Sequence, residues 1–443
     1  MADAEYHFDT LKIRAAYDPG EHNQAVFPPI YQTAAYEFRD TAHASKLFTF
    51  SEQGFLYTRV TNPTVDVLEK RIATLDGGTV GLAVASGMAA ITYTLLTLAE
   101  NSGRILTSTY LYGGSTDAFQ KLFLQFGVAF DQSPHIDDAK ALERDIKPDN
   151  KAIFVETVSN PTGAVVDLEA LSALAHKHGI PLVVDNTFAA PYLLNPIKYG
   201  ADIVVYSATK ALNGHGNLIT GVIVESGKFP WDNDNFPQME ENIYALRDRA
   251  TGQECSPLEV FPNAAFVTRI RLRYLNYFSA VLSPFDAYLA LVGIETLSER
   301  VAKQVSNTQK VIAYLEHSPH VAWVKHPSVK SSPYYRLGQK YLPKGAPGIL
   351  SFGFKGTVEQ SEAFLAALKL WSYHGNVGDA RSLIVNSPES THSELMPEEQ
   401  KLADIEPNLL RISLRLEGAD DLIADLDREF VKVFRAKGAG HAA

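Results

Sequence analysis

The residues best placed to do chemistry are an amine and a carboxylate, each lying just beyond a short apolar run. Ser207-Ala208-Thr209-Lys210 follows Ile203-Val204-Val205-Tyr206, and Asp185-Asn186 closes Leu182-Val183-Val184 upstream of it. Short apolar runs of this kind read as strands buried on both faces, and in an open α/β sheet ligands sit beyond the carboxyl ends of the strands. Two hydroxyls there can bond phosphate oxygens, and a lysine in such a crevice can form an imine. A carboxylate at a neighbouring strand end can keep a pyridine nitrogen protonated, so that the ring accepts electrons. Plainer readings stand beside these: a surface lysine behind a strand, and an aspartate capping a turn.

Three further clusters fit the same chemistry. Ser86-Gly87-Met88 follows an apolar run and opens a helix, whose free N–H groups would hold a phosphate while Gly87 lets the ligand approach. The same residues also read as a simple N-cap. No Gly-Lys-Ser/Thr follows, and the G-x-G-x-x-G dinucleotide fingerprint is absent. Tyr110-Leu111-Tyr112-Gly113-Gly114 puts an aromatic beside two glycines, suited to stacking on a planar ring. Asn160-Pro161-Thr162-Gly163 is by default a turn, but beside pyridoxal 5′-phosphate (PLP) Asn160 would donate to the phenolic oxygen.

These residues need a scaffold, and the pattern supplies one. From about residue 64 helices alternate with short apolar strands: a helix over 64–75, a strand over 80–84, a helix over 88–99, and strands over 104–108, 128–130 and 152–155. A helix over 168–178 and strands over 181–184, 203–206 and 220–224 complete the set. Such alternation predicts a mainly parallel sheet with helices on both faces. Residues 1–60 read as an N-terminal arm with little core of its own, extended around Phe27-Pro28-Pro29, that lies across a neighbouring surface. Residues 61–282 would form the ligand-binding α/β domain and 283–443 a smaller α+β domain, with strands over 349–354 and 410–416. The segment 228–280 reads as an insertion or a loop-rich connection, 286–316 as helical, and the closing AKGAGHAA as lacking order.

Composition narrows the classes. The 443 residues are 46% hydrophobic and 21% charged, long enough for more than one packed core. A net charge of −11 without basic runs argues against nucleic acid or an anionic membrane as partner, though not against a small anionic ligand. The single Cys255 cannot form an internal disulfide and reads as a small, partly buried filler. No Cys/His cluster has metal-ligand spacing, so no metal is expected. The start lacks the pattern of a signal peptide and no apolar run reaches membrane-spanning length, which places the chain in the cytoplasm as an expectation.

The ordered set is more specific than its parts. Tyr57-Thr58-Arg59, Ser86-Gly87-Met88, Tyr112-Gly113, Ser159-Asn160-Pro161, Asp185-Asn186-Thr187, Ser207-Ala208-Thr209-Lys210 and Arg411-Ile412-Ser413 resemble, in order, the motifs of the Cys/Met-metabolism family of PLP enzymes. The resemblance implies PLP fold type I, the aspartate-aminotransferase-like α/β architecture, in a homotetramer of two active dimers. It assigns Lys210 as the Schiff-base lysine, Asp185 as partner of the pyridine nitrogen and Tyr112 as the stacking ring. Lys210 and Tyr112 would carry protons, and Asn160 would face the phenolic oxygen. Gly87, Met88, Ser207 and Thr209 would hold the phosphate, with Tyr57 and Arg59 reaching it from the neighbouring subunit. Arg411 would clamp the substrate carboxylate, with Tyr57 and Asn376 also on the substrate side.

Within the family, Asn376-Val377-Gly378-Asp379-Ala380-Arg381-Ser382-Leu383 resembles a stretch of the O-acetylhomoserine sulfhydrylases. That implies γ-replacement on O-acetylhomoserine by sulfide or a thiol, giving homocysteine or methionine plus acetate. γ-Elimination and cystathionine synthase or lyase chemistry are the alternatives on the same scaffold. Gly114 stands where methionine γ-lyases usually carry a reactive cysteine. Two stretches depart from the usual pattern: Arg415 replaces a glycine, and 386–392 keeps only its Thr-His end.

Overall fold

The structure, a computed structural model, describes residues 6–100, 102–136, 138–248, 250–393 and 395–435; the closing AKGAGHAA lies outside them. The β-branched runs form a seven-stranded sheet: β1 (Val80–Val84), β2 (Gly103–Ser108), β3 (Val128–Ser133), β4 (Asn150–Glu156), β5 (Leu182–Asp185), β6 (Ile203–Tyr206) and β7 (Gly221–Glu225). Their order is β1-β7-β6-β5-β4-β2-β3. β7 alone runs antiparallel to its neighbours, so the other six strands point the same way and end on one edge. Helices Pro63–Asp76, Gly87–Leu98 and Leu168–Lys177 contribute buried faces to two apolar clusters around this sheet.

A second sheet of four antiparallel strands, β10-β11-β13-β12, follows two helices, Pro284–Glu295 and Leu297–His317. Its own strands are β10 (Val321–Lys325), β11 (Ile349–Phe354), β12 (Leu383–Asn386) and β13 (Leu409–Ser413); β8 (Ile243–Arg247) and β9 (Glu254–Cys255) pair as a separate ribbon. The helical stretch links two cores: Leu291 and Leu297 pack with the large sheet, Val311 and Leu315 with the small one. A domain boundary at 282/283 is our proposal for dividing the chain.

Three expectations change. The last strand stops at Ser413 instead of 416, because Leu383 and Ile349, at the starts of β12 and β11, both pair with Ser413 and among the described residues no strand pairs beyond it. Residues 8–27 are not a coreless arm. Phe8, Leu11, Tyr17 and Phe27 pack on the large core, and Lys12, 1% exposed, reaches Glu299 at 2.6 Å. The segment 228–280, read as an insertion or loop-rich connection, supplies core: Trp231, Phe236, Phe266 and Ile270 are buried in the second cluster of the large sheet. Aromatic residues spaced by Pro and Asp lack a helical or strand period, so their burial is invisible to pattern reading.

Candidate active site

Five parallel strands deliver their following loops to the same edge, where a cavity of about 480 Å³ opens. From the loop after β1 come Gly87 and Met88, and from that after β2 comes Tyr112. The β4 and β5 ends bring Asn160 and Asp185, and the loop after β6 brings Ser207, Thr209 and Lys210. The small sheet adds Arg411, and the loop before β12 adds Asn376. Ten of the twelve residues singled out in the sequence therefore line one space. The other two, Tyr57 and Arg59, do not line it; Tyr57 is 40% exposed, and the Arg59 guanidinium lies 4.9 Å from its ring centroid.

The loops are braced against one another. Thr187 Oγ1 accepts from the Ser207 N–H at 2.8 Å, and Thr209 Oγ1 accepts from the Thr220 N–H at 2.9 Å. Ser86 Oγ caps the helix Gly87–Leu98 by accepting from the Ala89 N–H at 3.1 Å, and the Gly87 and Met88 N–H groups before it have no intrahelical partner. A Cβ on Gly87 would lie 2.6 Å from Ser207 Cβ, so only glycine lets these two loops meet.

Charge is concentrated at Lys210. Its Nζ donates to Asn376 Oδ1 at 2.7 Å, and its ammonium is pushed down to about 8, first by burial and then by Arg411 and Arg415. Arg411, 2% exposed, donates Nη1 to Asn160 Oδ1 at 3.0 Å and Nη2 to the Asn376 carbonyl at 3.3 Å. Its Nε is buried without a hydrogen-bond partner, and no carboxylate pairs with it among the described residues. Because Asn160 Oδ1 accepts from Arg411, its amide N–H groups remain for a ligand.

Glu156 escaped the sequence reading. It ends β4 directly opposite Asp185 in the sheet register and is 8% exposed. Its carboxylate accepts from the Tyr112 N–H at 2.6 Å and the Asn160 N–H at 3.3 Å, so it holds two cavity-lining residues at once. Burial raises both acids, Glu156 further because it also faces Asp185. The signal was present: an acid ending the apolar run Ala152–Glu156, as Asp185 ends its own run. Replacing Glu156 with Leu is expected to leave the Tyr112 N–H buried without an acceptor, a cost of about 1–3 kcal/mol. Thermal unfolding and PLP dissociation, compared with Glu156→Gln, measure it; the glutamine keeps one acceptor oxygen and should lose less.

These residues fit PLP on the structure's own terms: a helix start and two hydroxyl-bearing loops for a phosphate, an exposed Tyr112 face, a half-buried acid and a depressed amine. Among the described residues no group of His, Cys, Asp or Glu could hold a metal, and no helix is long and apolar enough to cross a membrane. Cys255 sits half-buried in the β8–β9 ribbon, outside the cavity.

Comparison with known proteins agrees. Residues 9–431 match the family described as Cys/Met metabolism PLP-dependent enzyme. The chain is 42% identical to a sulfhydrylase of Gibberella moniliformis, covering 97% of this chain and 98% of that one. It is 39% identical to a homocysteine/cysteine synthase of Saccharomyces cerevisiae, covering 97% and 98%, and 39% identical to an O-acetyl-L-homoserine sulfhydrylase of Thermus thermophilus, covering 95% and 98%. A crystal structure described as an O-acetylhomoserine (thiol)-lyase of Campylobacter jejuni, containing a pyridoxyl-lysine phosphate, superposes with a TM-score of 0.91 at 35% identity, over 96% of this chain and all of that one. With this α/β fold of PLP fold type I, a PLP site and that likeness along nearly its whole length, the chain belongs to the Cys/Met-metabolism family of PLP-dependent enzymes.

Proposed function

We propose that the chain catalyses γ-replacement on O-acetyl-L-homoserine with sulfide, giving L-homocysteine and acetate. The observation that carries this is the buried guanidinium of Arg411, its Nε unpartnered, in the same cavity as Lys210 and Asp185. A planar cation there suits an amino acid's α-carboxylate. The relatives' names supply the substrate class.

Bound PLP supplies an electron sink for charge developing at the carbons next to the substrate nitrogen. Arg411 holds the α-carboxylate and so fixes Cα over Lys210. Asp185, its Oδ1 steadied by the Thr187 N–H at 2.9 Å, would set a negative charge against the ring nitrogen. Lys210 Nζ takes the Cα proton and, with the Tyr112 hydroxyl, moves protons at Cβ. At Cγ the C–O bond breaks and acetate leaves with its electron pair; hydrosulfide supplies the pair for the new C–S bond. Gly87, Met88, Ser207 and Thr209 would hold the phosphate, and Asn160 would face the phenolic oxygen.

Tyr57 and Arg59 belong to the same proposal as residues that complete the site of a second copy, because they do not line the cavity of their own chain. A homotetramer of two such dimers, in the cytoplasm, is the corresponding assembly. Methanethiol in place of sulfide would give methionine.

A substrate panel tests the reading. O-acetylhomoserine with sulfide should yield homocysteine and acetate in equal amounts, while steady 2-oxobutanoate from methionine or cystathionine alone would overturn it. Arg411→Lys is expected to raise KM for the amino acid about ten- to a hundredfold, since charge-assisted hydrogen bonds are worth about 1.5–3 kcal/mol each. Initial rates at saturating sulfide measure it.

A further inference from the structure

The two ends of the Asn376 side-chain amide face different partners. Oδ1 accepts from Lys210 Nζ at 2.7 Å, and Nδ2 donates to Asp379 Oδ2 at 3.2 Å. Asp379 is buried, does not line the cavity, and closes its own turn by accepting from the Arg381 N–H on Oδ1 at 2.8 Å. Gly378, at φ +87°, lets this loop lie against the lysine's backbone, because a Cβ there would sit 2.7 Å from Lys210 Cα. A hydrogen-bonded chain thus runs from the reacting amine through one amide to a carboxylate outside the cavity. Around Nζ, Arg411 and Arg415 oppose the ammonium form and Asp379 favours it; His374 Nε2 lies 3.6 Å from Asp379 Oδ2.

An amide has a donor end and an acceptor end, and which end meets Lys210 decides whether that lysine can act as a base. An ionised carboxylate only accepts, so Asp379 holds Nδ2 and turns Oδ1 toward the amine. Against Oδ1 a neutral amine donates one N–H and keeps its lone pair free for a proton. Against Nδ2 the same lone pair would be occupied by the amide's own donor.

We propose that Asp379 is a positioning residue: by orienting the Asn376 amide it keeps the lone pair of the freed Lys210 amine available for the substrate's Cα proton. The proposal rests on Lys210 as the proton carrier described above, and not on which nucleophile replaces acetate. Asp379 itself touches neither substrate nor cofactor in this role; it acts through Asn376.

Asp379→Asn tests it, because the asparagine keeps the size of the side chain and an acceptor for the Arg381 N–H. Its new NH2 group then faces Asn376, and since two donors repel, the Asn376 amide turns over and offers Nδ2 to Lys210. A donor on the lone pair and the loss of a negative charge both lower the Lys210 pKa, together by about one unit. Two measurements read this. In the full chain freed of PLP, acetylation of Lys210 by acetic anhydride, followed against pH by mass spectrometry, gives the amine's pKa without turnover. In the holoenzyme, exchange of the Cα proton of L-2-aminobutyrate, which has no group to expel, is followed by NMR in deuterium oxide. Its high-pH plateau should fall about tenfold in Asp379→Asn, and this loss should shrink to about threefold or less when Asn376→Ala is already present. An unchanged Lys210 pKa in Asp379→Asn overturns the proposal. So does a lowered pKa with an undiminished plateau, which leaves a charge effect alone, or an equal loss in both backgrounds, which removes Asn376 from the route. If Asp379→Asn fails to fold, Asp379→Ser, uncharged and too short to hold the amide, must show the same fall in pKa and plateau. An unaltered holoenzyme that exchanges no Cα proton at any pH rejects Lys210 as proton carrier, and the labelling pKa then still decides whether Asp379 governs the amine.

Discussion

Lys210→Ala is expected to bind PLP without a covalent link and to lose turnover by about four orders of magnitude or more, since the proposed mechanism gives one residue the work of both anchor and proton carrier. The structure gives the reason in electrostatic terms. A base must be neutral to accept a proton, and burial together with Arg411 and Arg415 pushes the Lys210 ammonium down to about 8, while Asp379 pulls the other way. The free amine therefore becomes the dominant form as pH rises through that value, and a step using it should accelerate over the same range. Arg415→Met removes one positive neighbour, so the Lys210 titration should move upward. Rapid-quench rates of Cα proton exchange against pH measure both. A profile flat across this range would contradict the role given to Nζ.

Asp185→Asn is expected to cost about 10²- to 10³-fold in kcat, the scale for losing one well-placed electrostatic partner at developing charge. The amide keeps the hydrogen bond from the Thr187 N–H that now reaches Oδ1 at 2.9 Å, so the local turn should survive. What would be lost is the negative charge that the proposed mechanism sets against the ring nitrogen. Burial raises the Asp185 carboxyl above its ordinary range, and a cationic nitrogen beside it would restore the ionised form. Single-turnover kinetics and the absorbance of bound PLP separate this loss from weakened binding. An Asp185→Asn enzyme with unchanged kcat would remove the acid from the mechanism.

The pattern of the sequence was enough to place the large sheet, because strands such as Leu182–Asp185 and Ile203–Tyr206 are buried on both faces and read as unbroken apolar runs. It could not show that β7 runs backwards, since Gly221–Glu225 is equally apolar in either direction. Lys210 and Asp185 stood out because each follows such a run. Glu156 has the same position and was passed over, as its meaning depends on facing Asp185 across the register. Thr187 was quoted only as part of a motif; its bond to the Ser207 N–H appears once two separate loops are brought together. Arg415 was visible as a departure from pattern, yet only burial without a pairing carboxylate shows what is unusual about it. The first helix, Phe8–Arg14, was missed because it is short and its anchor, Lys12, meets partners near residue 298.

The most direct test of the site is chemical. Holoenzyme reduced with borohydride, digested and sequenced by mass spectrometry should carry the phosphopyridoxyl group on Lys210 and on no other lysine. A label found on a different lysine, or no label on protein that has taken up PLP, would contradict the assignment.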